Sequence, residues 1–330
     1  MKKEIFTVAF LLPLAMFLVV APFLSYPALG QKYPAKPIEI LVPWAGGTQE
    51  IVSRLIANIA PKYLGQPLVV VLKPGAAGSV AAAEIINSKP DGYKLYSNTN
   101  IFFALAAKTQ KIPFNPNHIT PLVNFIEFKQ GFAVKGDSPW KTFDQLLDFA
   151  KKNPGKLKWA HSGRGLTQHL AMSLIFKKAG IETVDIPYRA GFAETVVALL
   201  GGHIHACSLM YPPAKDHAKA GKLRFLVFFT DRRYADSPDV PTVVEIGFPE
   251  VAKFNTYWGY FIHKDTPEEI KRTLTDAFKK TFEEPEFRKV CEDLAEEPKF
   301  EGPEFLKQKI KDTEEIGVPL LKELGLYVDR

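Results

Sequence analysis

Apolar and polar positions fall into a scheme that the chain uses repeatedly: a short apolar run, a glycine-rich turn, then apolar residues at helical spacing. The run 38–42 predicts a buried strand bounded by Pro43, and 51–60 predicts a helix. Between them stand Trp44-Ala45-Gly46-Gly47-Thr48-Gln49-Glu50, with Thr48 as the expected cap. The scheme returns at 68–72, followed by Lys73-Pro74-Gly75-Ala76-Ala77-Gly78-Ser79-Val80 and a helix over 81–87. A third strand over 94–97 ends in Asn98-Thr99-Asn100, 102–107 is helical in pattern, and 125–134 reads as one strand leaving this unit.

A second set follows. Thr142 caps an amphipathic helix over 142–150 that ends at Asn153-Pro154-Gly155. The strand 157–160 enters His161-Ser162-Gly163-Arg164-Gly165-Leu166-Thr167-Gln168-His169, and a helix runs over 170–178. Strands are expected at 184–188, 203–207 and 223–229, with a helix over 193–200 closed by Gly201-Gly202. Positions 256–262 are aromatic and β-prone, and Thr266-Pro267-Glu268-Glu269 starts a helix. Two or three amphipathic helices with alternating charges complete the chain, with Phe300-Glu301-Gly302-Pro303 between them.

This alternation predicts an α/β protein. A length of 330 residues with 46% hydrophobic content suffices for two modest cores, hence two domains. The net charge of +6 suits a small anion, and the lack of any dense Lys/Arg run excludes a nucleic-acid partner. Met1-Lys2-Lys3, an apolar stretch to Leu29 and the small-residue site Ala28-Leu29-Gly30 predict a signal peptide over 1–30, cleaved before Gln31, and a periplasmic product. The competing reading is an uncleaved membrane anchor, against which Pro13, Pro22 and Pro27 interrupt the apolar stretch. The absence of a cysteine after it argues against a lipid anchor. Cys207 and Cys291 are either a disulfide or two buried thiols as far as spacing goes.

Candidate chemistry gathers at the turns. In a parallel sheet the first two loops and their helix starts lie at one carboxyl edge, where unpaired backbone N–H groups attract an anion. Gly46, Gly47, Thr48, Gln49 and Glu50, with Gly75, Ala76, Ala77, Gly78, Ser79 and Val80, are the candidate binding residues, joined by Asn98 and Thr99. Neither loop has the P-loop ending or G-x-G-x-x-G spacing, so the anion is not a nucleotide and no cofactor is expected. Ser162 lacks a G-x-S-x-G elbow, which favours a cap and ligand contact for Ser162, Thr167 and His169 over a hydrolytic pair. His203 and His205 would share a strand face but lack a third clustered ligand, so no metal is expected. Arg189 offers a bidentate partner for a carboxylate. Among Trp44, Phe102, Phe103 and Phe192, Trp44 is the aromatic residue best placed to line a pocket.

These motifs together resemble the Bug family, the extracytoplasmic solute-binding components of tripartite tricarboxylate transporters, over about 33–298. Its marks are Pro43-Trp44-Ala45-Gly46-Gly47, Lys73-Pro74-Gly75-Ala76-Ala77-Gly78, Pro90-Asp91-Gly92-Tyr93, Pro187-Tyr188-Arg189, Leu200-Gly201-Gly202 and Asp239-Val240-Pro241-Thr242-Val243. The resemblance implies a two-lobed clamshell of the type II-like periplasmic-binding-protein kind, ligand in the interlobe cleft. Lobe 1 would comprise 31–131 and 255–330, and lobe 2 would comprise 132–254. It implies a monomer that holds a ligand carboxylate on the backbone of the first two glycine-rich loops and serves integral-membrane permease subunits. It also implies unpaired cysteines, since Cys207 and Cys291 would fall in different lobes. The chain departs from the family pattern at Glu50 for Asp, His205 for Asp, Ala190 for Gly, and Ser208-Leu209-Met210 for Phe-Asp-Asn. The expected ligand is therefore a small organic carboxylate with an apolar or aromatic end toward Leu209. The alternatives are a periplasmic sensor for a receptor kinase and, more distantly, a hydrolase using Ser162 and His169.

Overall fold

A computed structural model describes residues 33–188 and 192–329. The predicted signal segment and Arg189, Ala190 and Gly191 lie outside the described residues. In chain order the elements are β1 (Ile38–Val42), α1 (Thr48–Ile59), β2 (Leu68–Leu72), α2 (Ser79–Ile86), β3 (Lys94–Thr99), β4 (Ile119–Phe128) and β5 (Gln130–Lys135). Then come α3 (Phe143–Lys152), β6 (Lys158–His161), α4 (Thr167–Lys178), β7 (Val184–Pro187), α5 (Phe192–Leu200), β8 (Ala206–Met210) and β9 (Leu223–Phe228). The chain closes with β10 (Thr256–His263), α6 (Glu268–Glu283), α7 (Pro285–Leu294), β11 (Glu297–Glu301) and α8 (Pro303–Glu323).

Two sheets result. One has the order β11-β4-β10-β3-β1-β2 and the other β7-β6-β8-β5-β9. In the first, β1 runs parallel to both β2 and β3, with Val42 opposite Leu72 and Leu41 opposite Tyr96, so three loops leave one edge side by side. In the second, β6 runs parallel to β7 and β8 and builds a matching edge. Antiparallel strands aim the two edges at each other. Trp258 of β10 pairs with Thr99, while Gln130 at the start of β5 pairs with Met210 at the end of β8. The chain passes between the sheets at Lys129 and returns between Phe228 and Thr256. The architecture is a two-lobed α/β fold.

Each lobe has an apolar centre. Leu41, Tyr96, Phe102, Phe103 and Phe261 pack together in the first, so the two candidate phenylalanines belong to core rather than pocket. Phe132, Trp159, Leu170 and Phe176 centre the second, and Leu320 and Leu321 of α8 pack into the same cluster. Cys207 and Cys291 are buried and unpaired.

Several elements differ from the sequence reading, among them β2, expected as a buried strand, which lies at the sheet edge with Val69 and Leu72 exposed. The strand expected over 125–134 begins at Ile119 and is two strands in different sheets, because the chain leaves one sheet at Lys129. The strand expected over 203–207 starts at Ala206, because the end of α5 is closed by Gly202 and His203 N–H groups on Leu199 and Ala198 carbonyls, which uses those residues as a turn. The segment Glu297–Glu301 is a strand pairing with β4. Its charges and Pro298 hide it in the sequence, and proline is tolerated because the strand lies at the sheet edge.

Candidate functional site

The first wall of the cleft is the loop after β1. Trp44 is 45% exposed, and Ala45 and Gly46 are exposed beside it. Gly46 has a φ of +74°, and a Cβ there would meet nothing within 4 Å. Its N–H donates to Glu50 Oε2 at 2.8 Å, and Arg54 holds the other carboxylate oxygen at 2.7 Å. The hydrogen bond from Gly46, followed by that from Arg54, holds the Glu50 carboxyl below the usual range. Thr48 is not the cap. Gly47 occupies that position, and the Thr48 hydroxyl donates to Glu296 Oε1 at 3.0 Å. Gln49 is buried, with its Oε1 lacking a partner among the described residues.

The second wall is the loop after β2, where four consecutive residues have positive φ: Gly75 at +130°, Ala76 at +44°, Ala77 at +50° and Gly78 at +95°. Left-handed alanines are uncommon and persist only where the surroundings enforce them. The enforcing groups lie beneath. Tyr96 donates to the Gly78 carbonyl at 3.0 Å, Asn98 donates to the Tyr96 hydroxyl, and Gln110 reaches the Ala76 carbonyl and Ser79 Oγ. Asn98 and Ser79 thus support the loop from below. Thr99 is nearly buried, and Val80 is exposed at the start of α2. The amino ends of α1 and α2 follow these two adjacent loops at one sheet edge, and helix starts carry N–H groups suited to an anion.

On the opposite lobe the buried residues Thr167 and Gln168 bond to Gln130 at the crossing, at 3.4 and 2.9 Å. Ser162 is half-buried, and its hydroxyl has no partner among the described residues, His169 included, so nucleophile and base are not assembled. Two candidates lie elsewhere. His205 precedes β8 at the far end of the sheet, accepts the Lys158 N–H at 3.0 Å and edges the Trp140 ring. Leu209 is fully buried in a cluster with Val196, Leu199 and Phe228, so it cannot form an apolar end of the cleft. Strand alternation decides this: Cys207 and Leu209 face the core under α5, whereas Ser208 faces α4 and donates to the Gln168 carbonyl.

A cluster that the sequence reading missed sits beside this edge. His161 Nε2 lies 3.1 Å from Asp185 Oδ2, His169 Nε2 lies 3.7 Å from the same oxygen, and Arg164 lies 3.0 Å away. Burial lowers both histidines, with His169 also repelled by its neighbour and reaching about 4, so both are neutral at pH 7. These three ligand atoms lie within 4.8 Å of one another, close enough for a metal ion. The hydrogen bonds argue otherwise. Gly163 and Gly165 donate N–H groups to the Nδ1 atoms, which places the ring protons on Nε2 and aims them at Asp185. A metal on Nε2 needs its proton on Nδ1, facing those amides. The cluster fits its own carboxylate. Only the parallel pairing of β6 with β7 joins His161 to Asp185, which is why no local motif announces it.

The crossing itself is held by another buried carboxylate. Glu127, 1% exposed, accepts from Thr230, Tyr234 and Asn255 at 3.0, 3.2 and 2.8 Å and pairs with Arg232 and Lys299. A pocket of about 560 Å³ on the first lobe lies at the opposite end of the sheet, lined by Lys36, Glu39, Tyr93 and Lys94, away from both loops.

The family model of the tripartite tricarboxylate transporter family receptor matches residues 52–326. The chain belongs to this receptor family. Members of this receptor family are solute-binding proteins rather than enzymes, in agreement with the unassembled Ser162 and His169. A Cupriavidus necator protein described as "UPF0065 protein in gbd 5'region" is 34% identical over 302 residues, 91% of this chain and 90% of its own. BugT of Bordetella pertussis is 30% identical over 238 residues, 69% of this chain and 71% of its own. Among solved structures, a TctC solute binding protein from Polaromonas superposes with a TM-score of 0.78 at 29% identity, covering 88% of this chain and 99% of its own. The fold is shared with an R. palustris protein solved with adipate (TM-score 0.73, 23% identity, 89% and 98% covered). MatC from Rhodopseudomonas palustris with bound malate also shares it (TM-score 0.67, 24% identity, 86% and 100% covered). Among the described residues no helix is long and apolar enough to cross a membrane.

Proposed function

We propose that this receptor works in the periplasm, captures a small organic carboxylate between its lobes and delivers it to the permease subunits of a tripartite tricarboxylate-type transporter. The observation that carries the reading is the pair of adjacent loops, after β1 and β2, that leave one sheet edge and lead into the amino ends of α1 and α2. Glu50 Oε2 occupies the Gly46 N–H, and the N–H groups of Glu50, Ile51, Gly78 and Ser79 bond to the Gly47, Gly75 and Ala76 carbonyls. A ligand carboxylate therefore uses the remaining N–H groups of the first turns, with Trp44 at the rim as the apolar contact. The adipate and malate held by two proteins of the same fold support a carboxylate of about this size.

Titration calorimetry with adipate, malate, succinate, citrate and benzoate tests the proposal. At least one acid should bind with a Kd in the micromolar range or tighter, about −8 kcal/mol, and the Ala76–Gly78 loop should be protected on binding. No heat from any of the five at millimolar concentration rejects the carboxylate reading.

A further inference from the structure

Thr48 and Glu296 are 248 positions apart in the chain, yet the hydroxyl of the first donates to the carboxyl of the second at 3.0 Å. Glu296 follows Ala295, which closes α7 in a left-handed conformation with φ of +55° and is itself buried in the second lobe's apolar cluster. That turn directs the Glu296 side chain back toward the start of α1. The backbone N–H of Lys129, the residue at which the chain crosses between lobes, faces the same carboxyl. Glu296 is 5% exposed, and its Oε2 makes no hydrogen bond among the described residues.

We infer that Glu296 is a positioning residue of the ligand loop, a buried carboxyl that ties the amino end of α1 to the crossing between the lobes. The inference rests on the carboxylate-receptor reading for its functional meaning, not for its geometry. The charged groups around Glu296 do not neutralise it. Lys129 Nζ is committed to Asp236 at 2.8 Å and Glu297 at 3.7 Å, and Lys215 donates to the Asp293 carbonyl. The remaining neighbours line a pocket of about 430 Å³ that both lobes build: Tyr211, Lys219, Arg288, Glu292 and Glu297. Cys291 on α7 is also close enough to feel the carboxyl. Burial dominates and raises Glu296 to about 8, with the bonds from Thr48 and Lys129 acting in the opposite direction. At neutral pH the group is mainly the neutral acid.

Linkage sets the sign. An opened segment exposes an ordinary glutamate that ionises near 4.5, whereas the buried arrangement keeps its proton to about 8. Opening of this contact therefore grows by up to tenfold per pH unit between about 5 and 8 and levels off above. Hydrogen exchange of the ligand-free protein, with protection corrected for the intrinsic rate, reads it in peptides spanning 44–52 and 292–298. Between pH 5.5 and 7.5 the wild type should lose at least tenfold in protection there, and Glu296→Gln should remove that pH dependence. Equal pH slopes in the two proteins overturn the inference. Thr48→Val keeps the carboxyl and removes the contact; it should lower protection of 44–52 at pH 5.5 by about fivefold and leave α3 unchanged. No change at 44–52 in this variant also overturns the inference. In parallel, adipate should bind Thr48→Val at least fivefold more weakly than wild type. Failure of adipate to bind the wild type counts against adipate as the ligand alone, and the exchange data still decide Glu296.

Discussion

Replacing Gly78 by alanine puts a methyl group at the most crowded point under the second loop. The added Cβ would stand 2.8 Å from the Tyr96 hydroxyl, 2.9 Å from Asn98 Nδ2 and 3.6 Å from Pro43 Cβ, at a φ of +95°. Tyr96 and Asn98 are both buried and cannot swing away. Left-handed backbone costs a non-glycine residue roughly 1–2 kcal/mol. Losing the Tyr96 bond to the Gly78 carbonyl and the Asn98 bond beneath it costs about 1 kcal/mol each. The sum is about 3–4 kcal/mol. Gly46→Ala is the control, because its φ is +74° but the space around it is open, so only roughly 1 kcal/mol of backbone strain applies. Denaturant unfolding of both variants should separate them by about 2 kcal/mol. Gly78→Ala should also weaken the best binder of the acid panel by about tenfold, since the loop donors ride on Gly78. Equal destabilisation by the two substitutions, or unchanged binding by Gly78→Ala, refutes the reasoning.

Three further outcomes are expected. Ala77→Gly relieves a left-handed alanine at an exposed site and should stabilise the protein by about 1 kcal/mol in the same unfolding assay. His161 and His169 are held neutral in the folded state but titrate normally when unfolded, so the unfolded state binds more protons below about pH 6.5. Stability should accordingly fall as pH drops from about 6.5 toward 4, by up to roughly 1.4 kcal/mol per unit from His169, and His169→Gln should flatten that slope in pH-resolved thermal melts. Burial raises the Cys207 thiol and lifts Cys291 to about 12, so neither should react with a disulfide reagent in the native protein, and both should react in denaturant without prior reduction.

Period and punctuation in the chain carry the local structure. The apolar runs at 38–42 and 68–72 and the glycine turns after them are visible as residues, because β-branched strands and left-handed turns each restrict composition, although only β1 is buried and β2 lies at the sheet edge with Val69 and Leu72 exposed. Thr142 likewise marks a helix start and does accept the Gln145 N–H. Family membership is legible for the same reason, since its marks are turn residues in a fixed order. Which face a strand residue serves is less legible. Leu209 belongs to the core because β8 alternates between α5 and α4, and His205 belongs to the far end because the turn that closes α5 uses His203 and β8 starts only at Ala206.

The sequence by itself determined the strands, the glycine-rich turns and the placement of two of them at one sheet edge, because those follow from backbone sterics and from the right-handed parallel connection. Only the tertiary structure decided what holds that edge. Thr48 meets Glu296, His161 and His169 meet Asp185, and Glu127 gathers Thr230, Tyr234 and Asn255 across 103 to 128 positions of chain. Buried carboxyl groups need partners wherever the fold supplies them. No local pattern encodes a partner brought in by the return of the chain to the first lobe.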